Sequence, residues 1–384
     1  MTRTTHWLLS TETDRWKVWT KDRGTQLPGS PLGRLRGGGD FVFDPFDAYQ
    51  AGLVTSPNVV ILGAIGTGKS TLVKMLVARG HARGHRSVVI DPKGEYGAVA
   101  RACGGEVLTL RPGGPTWCNP FGSGLADNVE LTVTLVEIVL ERSLSPEERH
   151  WVDDAWRSVP PASLRPLRDV AGFAGGMHPH VTAALMARTV QRFVSGDLAG
   201  MFDGDSEESR LDATVNVIDV SALWQHRYFA VAAVALMAVA QRNGRGQGYV
   251  VVDEAWAVLA DPAAIRWLHG EWKLARHRGT SHILVLHRWS DIDGVSDDRS
   301  RQRAWVNSMM RDCDTAFLFR HATTDVDLLH RVIDLSATER SWLPQLSRGS
   351  CVARFGRGRS VVSLTVSANE IAMTDTDERM RGKS

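Results

Sequence analysis

No apolar run in this chain exceeds the 12 residues of Phe229 to Ala240 (FAVAAVALMAVA), whereas a membrane-spanning helix needs about 20. That stretch reads as a buried helix, and any membrane contact is expected to come through a partner. The opening residues, MTRTTHWLLSTETDRW, carry one early arginine and a three-residue apolar run, too little for the apolar part of a secretion signal. A cytoplasmic protein is the expectation. Cysteine is scarce, and Cys103, Cys118, Cys313 and Cys351 stand apart without a C-x-x-C pair, which excludes a zinc ribbon or a disulfide framework. An excess of one charge is also missing, since 45 basic and 43 acidic side chains leave +2. A nucleic-acid partner therefore has to be argued from local clusters of arginine. Internal repeats and low-complexity tracts are absent.

What the chain does have is a hydrophobic fraction of 43% and a charged fraction of 23% over 384 residues. This suits a globular protein with one large domain carrying an insertion, or with two domains. Its most informative stretch is Val59 to Arg79, VVILGAIGTGKSTLVKMLVAR: a short apolar strand, a glycine turn, then a helix. Gly63, Ala64, Ile65, Gly66, Thr67, Gly68, Lys69 and Ser70 fill every position of the G-x-x-x-x-G-K-[ST] phosphate loop, with Thr71 directly after. Its glycines let backbone N–H groups converge on phosphate oxygens, and the following helix turns its positive end toward them. Lys69 is expected on the β and γ phosphates of ATP, and the Ser70 hydroxyl on Mg²⁺.

Further short apolar strands end in acidic residues. Ser87 to Ile90 runs into DPKGEY, which makes Asp91 and Glu95 candidates for the nucleotide site, because ligands in open α/β sheets bind beyond the carboxyl ends of strands. YVVVDEAW, residues 249 to 256, supplies the acidic pair that a phosphate loop requires: Asp253 to hold the metal and Glu254 to polarise the attacking water. The strand His282 to Leu286 places His287 at its tip, as a candidate contact to the γ-phosphate or the water. Between Leu125 and about Gly200 the pattern is helical throughout, with a capping box at Ser145 to Glu148. His178 and His180 flank a proline there, and without a third ligand in view they are not read as a metal site.

The reading is therefore α/β: a mainly parallel sheet flanked by helices, with an all-helical insertion. Its segments are an arm (1–40), the first part of the core (41–124), the insertion (125–200), the second part of the core (201–366) and a tail (367–384). Trp7, Trp16 and Trp19 fall in the arm, where no period is sustained. Gly80 is expected to close the helix after the phosphate loop, and residues 350–366 to form a hairpin.

Taken in order, GAIGTGKS, DPKGEY, CNPF at 118–121, MFDG at 201–204, VIDVS at 217–221 and VVVDEAW resemble the HerA/FtsK group of P-loop ATPases. Within that group they resemble the ATPase domain of conjugative-transfer and type IV secretion ATPases, over about residues 40 to 366. The resemblance implies a RecA-like sheet, Mg²⁺-dependent ATP hydrolysis and a homo-hexameric motor that moves DNA or protein, with secretion-channel proteins as possible partners. Such rings complete each site with an arginine from the neighbouring subunit; Arg276 and Arg278, at the end of the helix before the His287 strand, are the candidates here. Two departures stand out. The family usually has Gln where this chain has His287, and its secretion members carry a large N-terminal domain where about 40 poorly patterned residues precede the core here.

Arginines at 266, 276, 278, 288, 299, 301, 303, 348, 354, 357 and 359 form a candidate surface for DNA without sequence preference. A cytoplasmic DNA-processing or defence translocase and a nucleotide-dependent assembly scaffold remain open as alternatives.

Overall fold

The computed structural model describes residues 29–122, 124–160, 163–176, 178–204, 211–224, 228–242, 246–289 and 299–374, without the side chains of 299–301. The three early tryptophans and the tail beyond 374 lie outside the described residues. The described strands are β1 (Ser30–Leu35), β2 (Asp40–Phe43), β3 (Val59–Leu62), β4 (Arg86–Asp91), β5 (Glu106–Thr109), β6 (Val215–Asp219), β7 (Gly248–Val252), β8 (Thr280–Leu286), β9 (Thr315–Leu318), β10 (Ser350–Phe355) and β11 (Gly358–Leu364). They make one sheet in the order β2-β1-β11-β10-β9-β3-β8-β7-β4-β6-β5.

From β9 to β5 every pairing is parallel. Such a sheet is covered on both faces, so its strands need apolar residues at every position rather than at alternate ones. β3 meets that demand: all four residues are buried, Val60 and Leu62 in one core and Val59 and Ile61 in the other. The first core lies under the insertion and the helices Tyr228–Arg242 and Pro262–Arg278; the second lies under the helix Lys69–Ala82. Phe229 to Ala240 is indeed a buried helical stretch, and no described helix is long and apolar enough to cross a membrane.

β10, β11, β1 and β2 extend the sheet antiparallel. The hairpin was legible in the sequence; β1 and β2 were not, and β1 lies inside the stretch read as an unpatterned arm. What holds them is an aromatic cluster built from distant parts of the chain. Phe43 packs edge-on to Phe317 with ring centres 5.4 Å apart and tilted against Phe355 at 5.6 Å, and offset or edge-on geometry of this kind adds to plain burial. Gly80 also departs from expectation. It lies inside the helix Lys69–Ala82, where a Cβ would come within 2.3 Å of the Tyr249 ring, so it is there for close helix–sheet packing. Gly279, by contrast, does cap its helix, at φ 64°.

The insertion is helical among its described residues: Leu125–Leu140, Pro146–Ser158, Pro166–Gly172 and His180–Val194. The capping box at Ser145 and Glu148 is formed. Glu137, 2% exposed, ties the insertion to the core. It accepts from the Leu144 amide at 2.9 Å, from Arg149 at 2.6 Å and from Arg266 on the helix Pro262–Arg278. A buried carboxylate is tolerable only while such partners remain, and removing it strands two guanidinium groups and an amide. Glu137→Leu is expected to lower the unfolding free energy by about 2–3 kcal/mol, less than for a fully buried pair because both arginines are partly exposed. Urea denaturation followed by circular dichroism measures it.

Candidate nucleotide site

The parallel strands all point their carboxyl ends to one edge of the sheet, and the chemistry of the sequence collects there. β3 leads into the phosphate loop, β7 into Asp253 and Glu254, β8 into His287, and β4 ends at Asp91. The loop's shape is set by its glycines. Gly66 sits at φ 74°, a left-handed backbone that most side chains resist. A Cβ on Gly63 would lie 2.5 Å from the Phe319 side chain. Thr67 closes the turn, its hydroxyl donating to the Ala64 carbonyl at 2.7 Å. Ile65 is 78% exposed at the loop's tip, and Ser70 and Thr71 lie half-buried in the first helical turn.

Lys69 is 4% exposed. Its ammonium donates to the Gly63 carbonyl at 2.6 Å, the Ala64 carbonyl at 3.0 Å and His287 Nδ1 at 2.8 Å. An ammonium has only donors, so Nδ1 acts as acceptor and the imidazole proton belongs on Nε2. That nitrogen faces Glu254 Oε1 and donates to it. Lys93 Nζ lies 3.2 Å from the same nitrogen; two donors cannot bond each other, and what brings them together is the Glu254 oxygen that both approach. Trp256 Nε1 holds the other carboxylate oxygen at 2.7 Å. Lys69, His287, Glu254 and Lys93 thus form one continuous polar chain across the tips of β3, β8, β7 and the β4 loop.

Glu254 is 2% exposed and has φ 53°, a left-handed backbone rare outside glycine that costs on the order of 1–3 kcal/mol and concentrates at functional positions. Burial would raise its pKa, but the contacts from His287 and Lys93 outweigh burial and hold it at about 2. Its neighbour Asp253, 1% exposed, goes the other way: burial, against some relief from Lys93, pushes it up to about 6. Tyr96 joins Asp253 to the phosphate loop. Its buried hydroxyl reaches Asp253 Oδ2 at 3.3 Å and also meets the Ser70 side chain. Ser70 Oγ and Asp253 offer the hard oxygen donors that Mg²⁺ prefers, and a buried carboxylate this reluctant to carry its charge fits a position that a cation would relieve.

The sequence candidates separate here. Lys69, Ser70, Asp253, Glu254 and His287 converge. Asp91 reaches the same edge, but its carboxylate is occupied by the amides of Lys93 at 3.1 Å, Gly94 at 2.8 Å and Tyr96 at 2.9 Å, so it shapes the DPKGEY loop. Glu95 is half-buried on that loop. Arg278 pairs with Glu271 at 2.6 Å and with Gln241, and Arg276 is exposed beside it. Both precede β8, a full strand of seven residues, roughly 23 Å, from the His287 end of the sheet, so they do not join this chain's own phosphate loop. Of the arginines read as a surface, Arg266 is taken by Glu137, and Arg354 and Arg359 turn inward toward Glu339 at 3.6 and 3.4 Å. Lys93 and Tyr96 were not singled out in the sequence; DPKGEY, at the end of an apolar strand, was the signal that contained them.

The central domain of the helicase HerA, as a family profile, matches residues 54–161. Protein VirB4 of Agrobacterium fabrum is 29% identical over 225 residues, 54% of this chain and 27% of that protein. VirB4 of Rhizobium radiobacter is 30% identical over 254 residues, 61% and 30% of the two chains. The chain therefore spans less than a third of the length of these curated relatives. Among solved structures, VirB4 of Thermoanaerobacter pseudethanolicus superposes with a TM-score of 0.75 at 22% identity, over 89% of this chain and 98% of that one. The plasmid coupling protein TrwB in complex with the ATP analogue ADPNP gives 0.58 at 16% identity, over 95% of each. In its sheet and in its ordered motifs the chain resembles the RecA-like P-loop ATPases of the HerA/FtsK group, and within them the ATPase domains of conjugative-transfer and type IV secretion proteins.

Proposed function

We propose that this chain is the ATP-hydrolysing motor of a conjugative DNA transfer or type IV secretion system. The observation that carries the reading is the unbroken chain Lys69–His287–Glu254–Lys93, set beside Ser70 and Asp253 on one edge of a parallel sheet. VirB4 and TrwB, the relatives in sequence and fold, support the choice of system; TrwB has been solved with ADPNP and with ADP and Mg²⁺. The phosphate-loop amides and Lys69 bind the triphosphate and balance its charge. Bound at Ser70 and Asp253, Mg²⁺ would neutralise charge between the β and γ phosphates. Glu254 orients water toward the γ-phosphorus and receives its proton as the bond to the ADP oxygen breaks. A carboxylate held at about 2 is a poor base, since proton acceptors work best with a pKa near the working pH. Lys93, shared between Glu254 and an arriving phosphate, relaxes that hold when it turns to the nucleotide.

The direct measurement is steady-state release of phosphate, with and without single-stranded and double-stranded DNA. Lys69→Ala is expected to cost about 10² or more in rate. Glu254→Gln is expected to cost between about 10² and 10⁴ in kcat while nucleotide binding persists. Wild-type turnover by Glu254→Gln would remove the glutamate from its role. A basal rate with no response to either DNA favours a protein substrate or the scaffold reading.

His287 gives a sharper test, because the family resemblance implies Gln at this position. A glutamine amide offers the same pair of groups, a carbonyl oxygen to accept from Lys69 and an N–H to donate to Glu254. His287→Gln is expected to stay within a few-fold of wild type, and His287→Ala to lose between about 10 and 10² in kcat. Equal losses in both variants would mean that the ring does something an amide cannot.

The working unit in this reading is a homo-hexameric ring, cytoplasmic and membrane-associated only through channel partners. Arg276 is the stronger finger candidate, since Glu271 already engages Arg278. Mixed rings of Arg276→Ala and Glu254→Gln subunits, each inactive alone, are expected to regain partial ATPase activity at junctions that unite an intact arginine with an intact glutamate. Co-assembled mixtures with no activity would count against a cross-subunit arginine.

A further inference from the structure

The helical insertion gathers three side chains that take no part in the nucleotide site. His150 and Asp154 stand one turn apart on the helix Pro146–Ser158, the spacing that places two side chains on one face. His178 comes from the segment between the helices Pro166–Gly172 and His180–Val194, 24 residues after Asp154. Its Nε2 lies 3.1 Å from Asp154 Oδ2, and His150 Nε2 lies 3.6 Å from the same oxygen. The two imidazole rings are 5.1 Å apart, and one ligand atom from each of the three residues lies within 4.8 Å of the others. No third ligand for His178 was visible along the chain because its partners sit on a different helix.

A hydrogen bond from His178 to Asp154 would account for one imidazole. The one-turn spacing brings His150 to the same face as Asp154, so that two imidazoles from different segments converge on one carboxylate oxygen. The spacing has a geometric reading. Zinc–ligand arms of about 2.0–2.1 Å in a tetrahedron put ligand atoms roughly 3.3–3.4 Å from one another; the two edges that meet at Asp154, 3.1 and 3.6 Å, bracket that value, and the third lies within 4.8 Å. We propose that His150 Nε2, Asp154 Oδ2 and His178 Nε2 form a Zn²⁺ site whose fourth position is open to water. Two imidazoles and one carboxylate are a donor set that zinc accepts readily; Mg²⁺ prefers an all-oxygen shell, so millimolar Mg²⁺ does not compete.

The site is graded in exposure and braced from below. The side chain of His178 is 4% exposed, that of Asp154 27% and that of His150 61%, so the metal enters from the His150 side. Next to His150 the fully buried Trp151 packs edge-on against Phe173 at 5.7 Å. The backbone at Gly175 passes so close to Trp151 that a Cβ there would lie 2.9 Å from its indole nitrogen. The two carriers of the ligands are therefore already fixed against each other, which lowers the ordering cost of binding. Bound zinc cross-links the helix Pro146–Ser158 to the segment that opens the helix His180–Val194, and so stiffens the insertion.

The test uses the full chain without a histidine tag, titrated with zinc chloride in a calorimeter in the presence of excess Mg²⁺. One Zn²⁺ per chain and a rise in the thermal midpoint are expected for the wild type. His150→Ala, at an exposed position outside the core, is expected to weaken binding at least about tenfold, and Asp154→Asn similarly. His178→Ala is expected to abolish it, with circular dichroism checking that the variant stays folded. The four thiols are the same in every variant, so zinc held by cysteine cancels in the comparison. Cobalt in place of zinc should give the visible absorption of tetrahedral nitrogen and oxygen ligation in the wild type alone. Failure of the wild type to bind zinc, or equal affinity in wild type and His150→Ala, overturns the site.

Discussion

A carboxylate buried at the tip of a strand imposes the main constraint on this structure. Glu254 is 2% exposed and ionised, and a buried charge survives only if its neighbours supply hydrogen bonds and opposite charge. Here they come from three directions: Lys93 from the loop after β4, His287 from the end of β8, and Trp256 from its own turn. His287 is in turn held by Lys69 of the phosphate loop. Satisfying one glutamate therefore fixes the relative positions of four strand ends. The left-handed backbone at Glu254 is part of the same arrangement, because it turns the carboxylate back over the sheet edge instead of out into water.

This arrangement rests on register. Leu62 pairs with Leu286, Val252 with Leu284, and Ile90 with Val252, so the four loops leave the sheet within a residue or two of the same level. A slip of one residue in any strand would reverse its side chains between faces and carry His287 or Asp253 away from the others. The apolar runs of β3 (VVIL), β7 (YVVV) and the second half of β8 (ILVL) do not by themselves choose a face, since both are buried. Choice of register falls to residues that interlock, such as Gly80 against Tyr249, and to the polar chain itself.

How far the site could be read from sequence follows from how locally each part is determined. The phosphate loop was legible because its constraints lie within eight consecutive residues: backbone conformation at the glycines, a cation, a hydroxyl and a helix start. Asp253 and Glu254 were legible because an apolar strand directly precedes them. Lys93 and Tyr96 stand in an equally visible motif, yet their roles depend on β4 lying beside β7, a fact of topology that no local pattern carries. The same limit applied to β1 and β2. Their backbones pair at the edge of the sheet because Phe41 and Phe43 find Phe317 and Phe355, some 270 residues or more further along the chain. Arg354 and Arg359 illustrate the reverse error, since arginine in a hairpin reads as surface until a buried glutamate, Glu339, is found behind it.

The two adjacent carboxylates finally show how environment divides work between identical groups. Asp253 and Glu254 share a strand end and differ by one residue, yet Glu254 is held at about 2 and Asp253 is pushed up to about 6. The cause is geometric: Lys93 and His287 hydrogen-bond the glutamate, while the aspartate is fully buried, feels Lys93 only through space, has the like charges of Glu254 and Asp91 nearby, and takes its side-chain hydrogen bond from the uncharged Tyr96. Neighbouring groups whose pKa values are driven apart in this way take different roles. The group rich in donors keeps its proton off and can orient a water molecule. The group that no cation hydrogen-bonds gains most from a divalent ion, because coordination supplies the charge that burial withholds. The proposed assignment of water to Glu254 and metal to Asp253 therefore draws support from their contacts, independently of their order in the sequence.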